Sequence, residues 1–270
     1  MSPDESQVHH PNQHLHPDVR NRVESMSRET CEDWGGEWRD GIASVQELPI
    51  TELHWDRTEI ESVADAETAF EKYTDFLEYV LENRSKTNET AVLLPCGKMK
   101  PIGTSQIHRK KLQALEQAGL TEQSDIVVMS EPCTVIPHDI RLSLPAVNYD
   151  FPPEYTEEDR APVVFETFVD RLVLWLETRE YDTIYPYLVK RHQNKFDAAI
   201  ERADVDTEIV EVPGASFNPD TGNFTGDVFK SVDDMAMKLE QTRVHRAGES
   251  KELIADHPES LTEFYRERFQ

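Results

Sequence analysis

A short segment of this chain brings several reactive side-chain types close together. Cys96 follows an apolar run, and Lys98, Lys100, Ser105 and His108 come shortly after it. A thiol at the end of a buried strand can act as a nucleophile, and neighbouring lysines would lower its pKa. The same lysines can bind phosphate or carboxylate, and a helix that starts at the serine would present backbone N–H groups to an anion. The spacing predicts a reactive thiol or an anion site, with an inert cysteine at a strand end as the alternative.

The charge of this segment differs from that of the chain as a whole. The 270 residues include 53 Asp and Glu against 28 Lys and Arg, which gives a formal net charge of −25. No acidic residue occurs over residues 90–115, where about five would be expected from the average. Acidic residues spread along a whole chain are typical of halophilic proteins that stay hydrated in high salt. The local basic stretch therefore says more about partners than the global charge does.

Two short basic runs are candidates for contacts to a nucleic-acid backbone. The runs are Arg109, Lys110 and Lys111, and then Lys190, Arg191, His192 and Lys195. Binding to phosphates rests on Lys and Arg, so two basic patches on an otherwise acidic protein favour a polyanionic partner. For the first run, a solvated helix face is the equal alternative.

Two proline-containing segments further along supply more candidate side chains. In residues 131–138, prolines bracket Cys133 and predict an extended loop. Residues 144–153 contain further prolines and predict a second extended stretch, in which Asp150, beside Tyr149, is a candidate acid or base. An Asp that initiates a turn before proline is the structural alternative. We expect Cys133 and Tyr149 to contact the ligand of the thiol segment.

The cysteine count and the lack of long apolar runs limit the class of protein. Cys31, Cys96 and Cys133 are widely spaced without a CxxC pair, which predicts neither a disulfide framework nor a zinc finger. No metal or cofactor is expected. No run reaches the roughly eighteen apolar residues of a membrane span, and the N-terminus lacks a signal-peptide pattern. We therefore expect a cytoplasmic protein without membrane contact.

Short apolar segments alternate with amphipathic ones, which predicts an α/β fold: a parallel sheet flanked by helices, in a Rossmann-like three-layer arrangement. The predicted strands are residues 91–94, 126–129, 183–187 and 207–212. The predicted helices are residues 64–83, 105–119, 161–179 and 190–203. Ligands of such sheets bind beyond the carboxyl ends of the strands. Cys96, Glu131 and Tyr187 lie at or near such ends, so we expect their loops to share one pocket.

Composition also predicts how the chain is divided. Residues 1–30 are polar and include four histidines, and a disordered tail is favoured there over a metal-binding tract. Residues 31–60 carry Trp34, Trp38 and Trp55 and predict a small aromatic-rich extension with a strand or turn unit. Residues 61–226 form the expected α/β core, followed by C-terminal helices over residues 227–270.

Three segments, in the same order, resemble the archaeosine synthase family. The first shares with the family's PCS…KPYS…S…H signature the residues Pro95, Cys96, Lys100, Pro101, Ser105 and His108. Residues 131–137 are similar to its SPLGxVP loop, and residues 144–152 to its YPAxxYDxP stretch. Gly97, Ile102 and Gly103 depart from the signature. The resemblance covers roughly residues 88–212.

This resemblance implies an activity. Members of the family act on the 7-cyano-7-deazaguanine base of archaeal tRNA and are related to tRNA-guanine transglycosylases. They add an amine, lysine in characterised members, to the nitrile of that base, and a radical-SAM partner then completes archaeosine.

For this chain the resemblance implies catalytic roles for Cys96, His108 and Asp150. It also implies tRNA, or another deazaguanine-containing nucleic acid, as a partner, together with a radical-SAM or transglycosylase protein. A non-catalytic nucleotide- or RNA-binding module is the alternative, and a hydrolase or glycosidase of free deazaguanine derivatives is a third hypothesis.

Overall fold

Two helices and a β-hairpin begin the part of the chain that the structure describes. The computed structural model describes residues 12–50, 60–117, 119–210, 216–218 and 223–225. Its first elements are helices α1 (Pro17–Glu24) and α2 (Arg28–Asp33) and the antiparallel strands β1 (Glu37–Arg39) and β2 (Ile42–Ser44). The His16 side chain accepts a hydrogen bond from the Asp18 N–H, and Ser27 accepts one from Thr30. Each helix therefore begins at a side-chain cap.

The sequence prediction of a disordered tail is wrong for residues 12–30. Helix α1 buries Val19 and Val23 in a small core together with Cys31 and Leu142. Apolar side chains four positions apart lie on one face of a helix, and packing of that face explains the ordered segment. The hairpin of β1 and β2 matches the strand unit that the tryptophans predict.

A five-stranded sheet lies at the centre of the fold. Its strands are β3 (Thr90–Pro95), β4 (Asp125–Ser130), β5 (Thr134–Pro137), β6 (Thr183–Pro186) and β7 (Glu208–Ile209). The spatial order is β5-β4-β3-β6-β7, with β5 antiparallel at one edge and the other strands parallel. All residues of β3 are buried, as expected for a central strand covered on both faces. The predicted α/β fold is confirmed.

Helices flank this sheet. They are α3 (Val63–Lys72), α4 (Thr74–Asn83), α5 (Gln106–Gln117), α6 (Leu120–Gln123), α7 (Leu144–Val147), α8 (Pro162–Arg179) and α9 (Lys190–Arg202). Short 3-10 turns lie at His138–Ile140 and Pro153–Thr156, and strands β8 (Ser216–Asn218) and β9 (Asn223–Thr225) form a separate antiparallel pair. Over the described ranges, none of the helices is long and apolar enough to cross a bilayer.

The structure differs from the sequence prediction in three further places. The predicted helix over residues 64–83 is split into α3 and α4 at Tyr73, which is buried and packs edge-on against Tyr149 at 5.8 Å between ring centroids. Residues 134–137, predicted as loop, form β5 because the chain reverses directly after β4 and pairs with it. Residues 144–153, predicted as extended, begin with α7. The predicted C-terminal helices lie outside the described residues.

Candidate active site

A cleft of about 1550 Å³ opens at the carboxyl ends of β3, β4 and β6. These strands are neighbours in the sheet, so the loops that follow them meet at one edge, as expected for parallel strands. The sequence-predicted residues Cys96, Lys100, His108 and Asp150 all line this one cleft. Also in the lining are Lys98, Ser105, Lys111, Tyr149, Lys190 and Arg191.

The Cys96 thiol belongs to a cluster of ionisable side chains at the base of the cleft. Its Sγ lies 3.6 Å from Glu131 Oε2 and 3.9 Å from His192 Nε2. His192 Nε2 is also 3.2 Å from the Glu131 carboxylate. We call Cys96, Glu131 and His192 the thiol cluster. The thiol and the carboxylate contact the same imidazole nitrogen and also each other, so the three groups form a triangle.

The sheet places each member of the thiol cluster. The Cys96 N–H donates to the Met129 carbonyl at 2.9 Å, which extends the β3–β4 ladder one residue past β3. Glu131 directly follows β4, and His192 lies in the first turn of α9, after β6. Three residues that are far apart in the chain therefore meet because their strands are adjacent.

A buried cation holds the Glu131 carboxylate. The Lys195 ammonium donates to Glu131 Oε1 at 2.8 Å and to Thr156 Oγ1 at 2.7 Å. Exposed fractions are 3% for Glu131, 0% for His192 and 1% for Lys195. Buried charges are tolerated when they are paired and hydrogen-bonded, so the carboxylate has a fixed position. The Arg191 guanidinium lies 3.8 Å from the Cys96 sulfur on the other side.

These contacts favour the ionised form of each member of the thiol cluster. Burial and the Glu131 charge raise the pKa of Cys96, but the hydrogen bond and positive charge of His192 together with the charge of Lys100 lower it, and the net pKa lies below the ordinary value. Burial lowers the pKa of His192, yet Glu131 and the Cys96 hydrogen bond raise it overall. The pKa of Glu131 lies well below its usual range because His192 and Lys195 outweigh burial.

The thiol cluster has the donor types of a metal site but not its electrostatic surroundings. The ligand atoms of its three members lie within 4.8 Å of one another, and Cys, His and carboxylate are zinc ligands. The carboxylate is already paired with the Lys195 ammonium, and the Arg191 guanidinium neighbours the sulfur. Two cations in contact with the donors would repel a metal ion. The cluster therefore fits proton transfer better than metal binding.

Lys100 lies above Tyr149 inside the cleft rather than in solvent. Its ammonium donates to the Gly97 carbonyl at 2.8 Å and sits 4.1 Å from the centroid of the Tyr149 ring. Burial lowers the pKa of Lys100, partly offset by Cys96 and other negative groups. The Tyr149 hydroxyl is in turn hydrogen-bonded to Ser130. The predicted binding residues Lys100 and Tyr149 thus form one packed unit.

His108 approaches the backbone of the thiol segment. A Cβ added at Gly97 would lie 3.6 Å from the His108 ring, an ordinary van der Waals contact, so the imidazole lies directly beside the backbone at position 97. Burial, with the charges of Lys111 and Lys100, lowers the pKa of His108 to about 3. The imidazole is therefore neutral at physiological pH. The hydroxyl of Ser105 accepts from the His108 N–H at 3.2 Å, which is the capping role expected of it.

The structure separates the residues predicted to contact nucleic acid. Lys110 and Lys190 are exposed, and Lys190 lies on the cleft rim. Arg109 is exposed and donates to the Thr104 carbonyl at 3.0 Å. Lys111 is 2% exposed, with its ammonium 4.5 Å from the Tyr187 ring centroid. Lys111 lies in the cleft lining rather than on the outer surface, because the α5 face that carries it packs inward, and its contact to nucleic acid stays a prediction.

Cys133 does not lie where the sequence predicts. It is fully buried in the main core and is not in the cleft lining, whereas Asp150 and exposed Lys98 are. Burial raises the pKa of the Cys133 thiol. The reversal of the chain between β4 and β5 turns this side chain into the core, and a substrate contact by Cys133 stays an untested prediction.

Sequence reasoning missed the roles of Glu131, His192 and Lys195. It placed the last two in a basic surface patch. A signal was present, because His192, Lys195, Phe196 and Ala199 follow helical spacing and form the buried face of α9. A His and a Lys on the apolar face of a helix require a buried partner, and Glu131 is that partner.

Fold and cleft together define an α/β protein with a thiol, an imidazole and a carboxylate in contact at the carboxyl edge of its sheet. A family model described as a domain of unknown function, DUF5591, matches residues 70–220, more than half of the chain. The chain belongs to this family.

Comparison with known proteins adds two similarities. The chain is 26% identical over 192 residues to archaeosine synthase of Haloferax volcanii; the match covers 70% of this chain and 28% of that protein. The chain thus matches less than a third of the length of this relative. The crystal structure of AF0587, a protein of unknown function, is similar with 18% identity and a TM-score of 0.42, over 61% of this chain and 48% of the other.

Proposed function

We propose that this protein modifies a 7-cyano-7-deazaguanine-type base in tRNA by adding an amine to its nitrile. The ordered motif matches and the similarity to an archaeosine synthase support the substrate class. The observation that carries the proposal is the lining of one cleft by Cys96, Lys100, His108 and Asp150. We propose a cytoplasmic site of action, where tRNA is found.

The proposed chemistry begins at the Cys96 sulfur. The thiolate bonds to the nitrile carbon, the C≡N bond becomes C=N, and its nitrogen takes a proton, which gives a thioimidate. The amine nitrogen then bonds to the same carbon, Sγ leaves as thiolate, and the amine gives up a proton. Nitrile and amine together become an amidine, with all atoms retained and no oxidant or reductant required.

The other lining residues have positioning roles in this proposal. The Lys100–Tyr149 unit presents an aromatic edge and a cation to the base. Asp150, which follows Tyr149 in the cleft lining, accepts a hydrogen bond from the base or from the amine. Lys98 and Lys190 on the rim, with Arg109 and Lys110 on α5, contact the tRNA backbone, because lysine and arginine supply sequence-independent affinity for phosphates. A radical-SAM or transglycosylase protein acts as a partner at another step.

Modified nucleosides provide the test. In tRNA from a strain that lacks the gene, we expect the nitrile base to accumulate and its amidine derivative to disappear. Wild-type protein should restore the profile, and Cys96→Ala should not. An unchanged nucleoside profile in the deletion strain would refute the function.

A non-catalytic binding module is the second candidate, favoured by the match to only 28% of the archaeosine synthase. In that case Cys96→Ala would leave both tRNA affinity and complementation intact, whereas Lys100→Ala would abolish both. Measuring affinity and complementation for the same pair of variants separates the two functions.

A further inference from the structure

We infer that His192 is the proton-transfer partner of Cys96, and that Glu131, anchored by Lys195, positions His192 for this task. The geometry carries the inference: one imidazole nitrogen faces the sulfur at 3.9 Å and the carboxylate at 3.2 Å. The pairing of thiol and imidazole stands independently of the substrate. Its use in nitrile chemistry rests on the proposed function.

His192 suits this role better than the histidine in the thiol segment. His108 is neutral, since its pKa is lowered to about 3 by burial and by the charges of Lys111 and Lys100. His108 therefore lacks the additional proton of an imidazolium, which is the proton that a histidine gives to a nitrile nitrogen. His192 has a raised pKa and faces Cys96 directly, so the two groups form a thiolate–imidazolium pair as in other activated cysteines.

The charges around the sulfur come from several elements. Lys100 lies after β3, Arg191 on α9, and Glu131 after β4; Cys133 and Tyr149 also interact with the thiol. Lys100 and Arg191 favour the thiolate, while Glu131 and burial oppose it. The Glu131 carboxylate lies 3.6 Å from the sulfur and opposes the thiolate. We infer that His192, which contacts both groups, provides the largest positive charge against this effect.

The inferred proton transfer completes the proposed first step. As Sγ bonds to the nitrile carbon, the electron pair of the breaking π bond moves to nitrogen and takes the proton of His192 Nε2. The imidazole is left neutral, and it takes a proton back when the amine attacks and the thiolate leaves. While Nε2 carries its proton, the Glu131 carboxylate accepts from it at 3.2 Å and keeps it oriented toward this position.

The pH dependence of thiol alkylation tests the pairing without any substrate. Cys31 and Cys133 are fully buried and burial raises the pKa of both thiols, so iodoacetamide reports on half-buried Cys96, with Cys96→Ser as the blank. We expect the wild-type rate to rise at a pH below about 8.5, the value of an unperturbed cysteine. In His192→Asn the profile should move above it, with a rate at pH 7 that falls about tenfold or more.

Two further variants separate pairing from a loss of structure. Adding Glu131→Gln to the His192→Asn variant removes the charge that opposes the thiolate. The Cys96 pKa of the double variant should therefore lie below that of His192→Asn alone. If His192→Asn had only disordered the site, the second substitution would not lower the pKa. His108→Asn should leave the alkylation profile unchanged. Circular dichroism and thermal midpoints identify variants that fail to fold.

Three results would overturn the inference. The first is a wild-type alkylation profile at the ordinary cysteine pKa. The second is a profile that shifts in His108→Asn but not in His192→Asn. The third is alkylation that accelerates on addition of EDTA, which would show a metal on the thiol cluster. If the alkylation results hold but tRNA nucleosides are unchanged in the deletion strain, the pairing stands and the proposed function fails.

Discussion

At the scale of single residues, the Glu131–Lys195 contact underlies the whole site. Both side chains are almost fully buried and only 2.8 Å apart. Loss of one partner leaves an uncompensated buried charge, which costs far more than the pair contributes. The pair therefore fixes the position of His192, and substitution of either Glu131 or Lys195 should strongly destabilise the fold.

Lys195→Met should accordingly destabilise the protein by about 3–5 kcal/mol, measured by urea unfolding. Lys110→Met is the matched control, because Lys110 is exposed on α5 and the same change there should stay within about 0.5 kcal/mol. Equal unfolding midpoints for the two variants would show that the buried ion pair does not stabilise the fold.

Some residues of this site can be predicted from the sequence and others cannot, and the difference has a physical reason. Cys96, Lys100 and His108 are close in the chain, so their types and spacing can be interpreted together. Glu131 and His192 reach Cys96 only through the adjacency of β3, β4 and β6, which strand patterns do not specify. The strands and long helices were predictable because their apolar periodicity is strong; β5 was not, since its extended residues look like loop until their pairing with β4 is known.

At the scale of elements, the N-terminal helices dock against the thiol segment through Trp34. Arg141 stacks over this ring, with its guanidinium carbon 3.8 Å from the centroid. Gly103 meets the ring edge, where an added Cβ would lie 2.7 Å from it. The backbone φ of +106° at Gly103 also favours glycine. This contact holds the N-terminal unit beside the loop that carries Lys100.

Gly103→Ala should destabilise the protein by about 2–4 kcal/mol, as backbone strain and overpacking against Trp34 add together. Gly41→Ala is the matched control: its φ is +81°, but nothing lies within 4 Å of the added Cβ. The control should cost only the strain, about 1–2 kcal/mol. Urea unfolding measures both, and equal losses would mean that the Trp34 contact contributes nothing.

At the scale of the whole molecule, acidic residues outnumber basic ones by 53 to 28. A net charge of −25 on 270 residues produces strong self-repulsion in the folded state. The chemistry is shielded from this field because its charges are buried and locally paired. We propose that residues 61–226 form the α/β core, with residues 31–60 as an extension.

Salt should stabilise this protein. The Debye length falls from about 10 Å at 0.1 M salt to about 3 Å at 1 M, which screens repulsion between surface carboxylates. The thermal midpoint should therefore rise as KCl increases from about 0.1 M to 1 M. The Cys96 alkylation profile should change little, because the thiol cluster is buried. A flat or falling midpoint would contradict the interpretation of the acidic surface.

The most direct measurement is mass spectrometry of Cys96 after incubation with tRNA that carries 7-cyano-7-deazaguanine, without an amine donor. We predict a covalent adduct on the peptide that contains Cys96, absent in Cys96→Ser and released when amine is added. Absence of the adduct, or formation of amidine by the Cys96→Ser variant, would contradict a nucleophilic role for this thiol.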